Sequence, residues 1–325
     1  MKPLSKFLIH CEVNLLQHKG ISRKYETLLF YLKEKNYNVS LSFNKFKGIR
    51  FYLGFDYLSI LFKRTDNLYV RNNTRVFASF FFLILLFFAK TRRTKVTVEI
   101  PTWPFLTNEY SGIKSFLAVI NFKVNLFFYK IFNVQLFLCS PNNFEYNINF
   151  KRITNWIPNW EKHPIKQESL IYDFVYIANM NSWHDPTELI KKFISSDCTL
   201  LIISPNKLSK DLTKLIKSSN NITNKYNVSE IETSQLLNSS LIGIDTIGRK
   251  QGNYSLKSRD YLYFGLSVVY FHEDEYLAKF QYCHYFKNLN YFKPELIVKE
   301  VDFNLKFKKH EKANNILSLS ILKYF

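Results

Sequence analysis

Short apolar runs alternate with amphipathic segments along this chain, and the alternation occurs twice. In the first half, residues 4–10, 39–43, 68–70, 96–100 and 134–140 read as buried strands, the last of them closing that half. Between them, residues 22–35 put Tyr25, Leu28, Leu29 and Leu32 on one helical face, and 53–62, 76–89 and 113–132 are further apolar helices. Beyond a polar stretch containing Pro164, the pattern restarts with a strand at 172–178. A helix at 186–195, a strand at 199–203 and a helix at 207–218 follow. Ser229 and Glu232 then form a capping box for a helix reaching Asn238, and 241–247 is the next strand. Strand–helix alternation of this kind is the signature of a parallel sheet covered on both faces. A chain of 325 residues can bury two such cores. The expected class is therefore α/β, with two Rossmann-like domains: 1–158 and 171–300, joined by a linker at 159–170.

Composition narrows the partners. Hydrophobic residues make up 47%, which excludes wholesale disorder, and 8 Gly with 9 Pro leave little for long flexible linkers. A net charge of +19 asks for nucleic acid, a phospholipid surface or a phosphorylated substrate. Abundant Lys, Asn, Ile, Phe and Tyr also mark AT-rich coding, which discounts the charge as a signal. No nucleic-acid-binding motif is present, so nucleic acid is not an expected partner. Cys11, Cys139, Cys198 and Cys283 are scattered without a CxxC pair, and no signal peptide is visible. Both point to reduced thiols in the cytoplasm. The loop at 11–20 lacks GxGxxG, so the dinucleotide fingerprint is absent. The acidic run 272–275 lacks the HExxH spacing and reads as a solvated loop, and no metal site is expected.

The most informative stretch is 252–271, GNYSLKSRDYLYFGLSVVYF. Ser255 stands at the cap of a helix starting at Leu256, Gly265 at its left-handed stop, and 267–271 forms the next buried strand. A strand, a polar loop and a helix start in this order make an anion site, because the first backbone N–H groups are unpaired and face positive dipole. Lys257 and Arg259 add charge in the first turn, Arg249 and Lys250 add it in the preceding loop, and Asp260 lies one turn on. The arrangement suits a diphosphate at the helix tip with ribose hydroxyls on Asp260.

These residues resemble the donor-binding segment of bacterial GT-B glycosyltransferases of the family 4 type. Their "slKxxEYLaxGlPVv" pattern is followed by 256–262 (LKSRDYL) and 265–269 (GLSVV). Two positions depart: Asp260 stands for the usual Glu, and Gly252 for the acidic residue eight places earlier. Residues 153–159 (ITNWIPN) resemble the crossover between GT-B domains, with Trp160 where Gly is usual. Residues 99–104 (EIPTWP) resemble a run at a strand's carboxyl end.

The resemblance implies a GT-B fold whose two domains face each other across a cleft, with a C-terminal tail, 301–325, packing back on the first domain. It implies transfer of a sugar from a nucleoside-diphosphate sugar to a glycan or lipid-linked glycan in surface polysaccharide synthesis, with retention. No cofactor beyond the co-substrate is implied. Glu99 and Lys257 are the expected catalytic residues. Arg249, Lys250, Asn253, Ser255, Leu256, Lys257, Asp260 and Asn179 would bind the donor, and Gly20, Ile21, Thr102 and Trp103 would line the acceptor side. The apolar run 76–89 falls short of the roughly 20 residues of a membrane span. With the basic helix at 113–132, it raises peripheral contact with the membrane's inner face as a further expectation. The alternative is a non-catalytic glycosyltransferase-like subunit that binds a partner enzyme or a membrane.

Overall fold

A computed structural model describes residues 4–12, 14–15, 19–71, 80–101, 113–140, 146–158, 160, 163–166, 169–178, 185–246 and 254–317. The chain divides into two compact units, the first built on Met1–Thr154, the second on Asn155–Lys250 and Ser255–Ser320.

In the first unit the elements run β1 (Lys6–Cys11), α1 (Lys19–Glu34), β2 (Asn38–Phe43), α2 (Gly48–Leu53), α3 (Phe55–Leu61), β3 (Asn67–Arg71), α4 (Phe80–Thr91), β4 (Lys95–Ile100), α5 (Ile113–Ile131), β5 (Gln135–Leu138) and β6 (Phe150–Arg152). The six strands form one parallel sheet in the order β2-β1-β3-β4-β5-β6. Helices α3, α4 and α5 share one buried cluster with the strands, through Tyr57, Phe82, Leu86, Phe122 and Tyr129. α1 buries Tyr25, Leu28 and Leu32, the face its periodicity sets out. It starts at Lys19, three residues before the expected Ser22, so Gly20 and Ile21 lie in its first turn and not in a loop. β6 is a strand beyond the one expected to be last.

The second unit runs β7 (Tyr172–Ile177), α6 (Thr187–Ile194), β8 (Leu200–Ser204), α7 (Lys210–Lys217), β9 (Ile222–Tyr226), α8 (Glu230–Asn238), β10 (Ser240–Asp245), α9 (Leu256–Tyr263), β11 (Ser267–Tyr270), β12 (Cys283–Tyr285), α10 (Pro294–Glu300) and α11 (Lys306–Leu317). Its parallel sheet has the order β12-β11-β10-β7-β8-β9. Six consecutive residues of β10 are buried, as a central strand covered on both faces requires. Gly265 ends α9 at φ +69°, and a Cβ there would meet the Lys306 carbonyl oxygen at 2.1 Å.

Trp160, within the expected linker, is 3% exposed and joins a cluster with Ile157, Leu262 and Phe264. Of the expected tail 301–325, α11 packs within the second unit, where Ala313 and Leu317 complete that same cluster; residues 318–325 lie outside the described ones.

Candidate functional site

In an open parallel sheet, ligands bind outside the carboxyl ends of the strands, where the connections reverse direction. In the second unit the chain moves outward from β7 through β8 to β9, then returns to β10 on the other side of β7. The reversal point is thus the β7–β10 boundary, and α9 is the element that follows β10.

Tyr261 fixes how α9 sits there. Its hydroxyl accepts from the Ile177 N–H at the end of β7 (2.9 Å) and donates to the Ile244 carbonyl of β10 (3.2 Å). Its ring fills the space beside Gly243, where a Cβ would come within 2.2 Å of it. Lys257, one turn earlier on the same helix face, is thereby aimed at the strand ends.

The Lys257 residue is half-buried, but its Nζ is shielded from solvent and has no hydrogen-bond partner. It stands 5.5 Å from the centre of the Tyr176 ring of β7. Burial lowers the Lys257 pKa, and the nearby Asp245 carboxylate only partly offsets that. Asp245, the last residue of β10, is 2% exposed, and its Oδ2 accepts no hydrogen bond. His272, just past β11, places Nε2 at 3.9 Å from that oxygen, and neither ring nitrogen has a hydrogen-bond partner. Thr246 Oγ1 donates to the Tyr176 hydroxyl at 2.9 Å. Buried polar atoms left unpaired in this way cost about 1–3 kcal/mol each, and more when charged. A bound anion with hydroxyl groups would satisfy this set.

The helix start is open as well. Ser209 and Ser229 cap α7 and α8 by accepting from Leu212 N and Glu232 N, at 3.2 and 3.1 Å. Ser255 holds the cap conformation of α9, but its side chain makes no capping bond to the first turn. Leu256 is the first helical residue. Asp260 is 7% exposed, not turned to solvent, and its Oδ1 accepts from the Trp160 indole N–H at 3.0 Å. The Trp160 ring packs edge-on against Phe264 with centroids 5.0 Å apart, so the residue standing where Gly is usual fills space and orients the carboxylate.

Arg259 does not join Lys257. Its guanidinium is buried, donating to the Asn155 carbonyl (3.0 Å), Ser258 Oγ (3.2 Å) and Asp274 Oδ2 (2.9 Å). Asp274 also accepts from the backbone of Tyr276 and Leu277. The run 272–275 is therefore solvated only at Glu273 and Glu275, because Asp274 is the counter-ion of a buried arginine.

In the first unit, Glu99 ends inside the core instead of lining a surface. Its carboxylate accepts from Lys24 Nζ (2.6 Å), Tyr25 Oη (2.8 Å) and Tyr69 Oη (2.6 Å), and it is 0% exposed. Burial alone would raise its pKa, yet Lys24, Arg71 and the hydrogen bonds from Lys24 and Tyr69 bring it below the ordinary value. Gly20 has open space around its missing Cβ. Arg249, Lys250, Asn253, Asn179, Thr102 and Trp103 lie outside the described residues.

Sequence reasoning assigned no role to Asp245, His272, Tyr176 or the Tyr261 strut. The one available signal was an acid closing the otherwise apolar strand SLIGID.

At the level of sequence, no family profile and no curated protein matches the chain. Solved structures do match it in fold. The glycosyltransferase AviGT4, involved in avilamycin A biosynthesis, aligns with a TM-score of 0.60 at 10% identity over 97% of this chain and 93% of its own. Anabaena Alr3699/HepE, solved in complex with UDP, aligns at 0.58 and 10% identity over 98% and 95%. Sucrose-phosphate synthase from Thermosynechococcus elongatus aligns at 0.61 and 7% identity over 98% and 97%. The two six-stranded parallel sheets with flanking helices define the class: this is a GT-B fold, made of two Rossmann-like α/β domains.

Proposed function

We propose that the protein is a glycosyltransferase that takes a nucleoside-diphosphate sugar as donor and passes its sugar to a glycan or lipid-linked glycan. The observation that carries this reading is the solvent-shielded, unpaired Lys257 ammonium at the start of α9, beside the β7–β10 reversal point. A diphosphate there would gain that ammonium and the uncapped helix start, and Asp260 would take the ribose hydroxyls. As the bond between the anomeric carbon and the phosphate oxygen breaks, negative charge grows on the departing diphosphate. Lys257 and the helix dipole are already oriented to neutralise it. The acceptor oxygen forms the new bond to the anomeric carbon and gives its proton to the departing phosphate oxygen. We assign the transfer to the retaining class and to surface polysaccharide synthesis on the family likeness, with no metal and no resident cofactor.

The test is a thermal-shift screen against a panel of sugar nucleotides, followed by turnover of whichever donor binds. A rise in melting temperature with one donor, and its hydrolysis or transfer, is the expected result. A protein that no donor stabilises and none turns over would refute the proposal. One observation favours a second reading, a glycosyltransferase-like subunit without catalysis: Trp160 already occupies one oxygen of Asp260. That reading predicts donor binding without turnover.

A further inference from the structure

The outward face of α5 is apolar where a soluble surface would be polar. Ile113, Phe116, Ile120 and Phe127 are between 42% and 78% exposed and recur at helical spacing along one side. Lys123 and Lys130 sit on the same exposed side. The neighbouring α4 repeats the arrangement with Phe80 and Phe87, 59% and 57% exposed, and with Lys90 exposed at its end. The two helices are adjacent, since Phe82 of α4 meets Tyr129 of α5 with ring centroids 6.1 Å apart. Both cover the same buried cluster, so their inner faces are already occupied, by Phe82, Leu85, Leu86, Phe122 and Leu126.

Both helices lie in stretches whose charges have one sign. The sequence contains no Asp or Glu from 67 to 98, and none from 113 to 140. Large rings and branched aliphatics, interleaved with lysines that reach past them, are the composition of a helix lying in a bilayer interface. The exposed residues of this face include lysines and no acid, so a twofold contact between copies would gain no ion pair there, which disfavours self-association. No helix among the described residues is long and apolar enough to cross a membrane, so the geometry is one of lying on the surface.

We propose that the exposed face of α4 and α5 docks the protein on an anionic phospholipid bilayer, with Phe116, Ile120 and Phe127 entering the interface and the lysines pairing with headgroup phosphates. Docking of this kind would bring a transferase to a lipid-linked acceptor, but it does not depend on donor binding. Each lysine near an anionic surface contributes roughly 1 kcal/mol, and that attraction is screened by salt.

The experiment is vesicle flotation of the full chain, with phosphatidylglycerol–phosphatidylcholine vesicles and with phosphatidylcholine alone, at low and high salt. The wild type should float with the anionic vesicles at low salt and largely leave them at high salt. Phe116→Ser with Phe127→Ser should lower vesicle affinity at least about 10-fold, and Lys123→Glu with Lys130→Glu should abolish the preference for anionic lipid. All these residues are exposed, so each variant should keep the wild-type melting temperature and nucleotide response, which separates failure of docking from failure of folding or donor binding. The proposal is overturned if the folded wild type does not float at low salt, or if the phenylalanine variant floats as well as wild type. It is equally overturned if light scattering shows a dimer that the same variant abolishes, since the face would then be a contact between copies.

Discussion

Each unit carries a buried polar cluster near the carboxyl end of a parallel strand, and the two clusters are in opposite states. In the first, Glu99, next to last in β4, accepts from three donors and has two cations nearby, Lys24 and Arg71. In the second, Asp245 lies near both Lys257 and His272, yet the three residues leave four buried polar atoms without hydrogen bonds. A completed network of buried charges holds a fold together and has no capacity left for a ligand. An incomplete one is destabilising until something fills it, which is the condition a binding site meets. Charge at a strand end is common to both; pairing is what separates them.

The largest expected effect is on the closed cluster. Glu99→Ala should destabilise the protein by about 3–5 kcal/mol, because it leaves a buried Lys24 ammonium without its counter-ion. The Glu99 carboxyl is held below its ordinary pKa, so its contribution is present above the unfolded carboxyl range and is lost as pH falls through the folded value. The gap between wild type and Glu99→Ala in denaturant melts should therefore narrow in acid. A variant that keeps wild-type stability and loses only turnover would return Glu99 to a catalytic role and break the comparison.

Next in size is the seat of the open cluster. Gly243→Ala forces Tyr261 off the strand it packs on and should cost about 1–3 kcal/mol, with weaker nucleotide binding as α9 shifts. Equal stability and equal binding would show that α9 is not held by this contact. The smallest effect compares two helix starts. Ser229→Ala should cost about 1 kcal/mol and Ser255→Ala only a few tenths, since Ser255 makes no capping bond. Equal losses in urea melts would mean that the α9 start is capped like the others.

Much of this was legible in the sequence. Alternating apolar runs revealed both sheets, and Leu256, Gly265 and 267–271 bracketed α9 where it stands. The strands that escaped were β6, β9 and β12, and all three are edge strands. An edge strand has one neighbour and stays partly exposed, so FKR, ITNKY and CHY carry no continuous apolar run. The fate of Glu99 was hidden for another reason: its donors are 30, 74 and 75 residues away. Arg259 and Lys257 look alike in sequence, and only the fold turns one inward to Asp274 and leaves the other unpaired.

The most direct test is calorimetric titration of UDP and GDP into the wild type and Lys257→Met. A charge-assisted hydrogen bond is worth about 1.5–3 kcal/mol, so the variant should bind the preferred nucleotide about 10- to 100-fold more weakly, while the unliganded variant, relieved of a buried unpaired ammonium, melts at or above the wild type. Undiminished affinity in the folded variant would contradict the account.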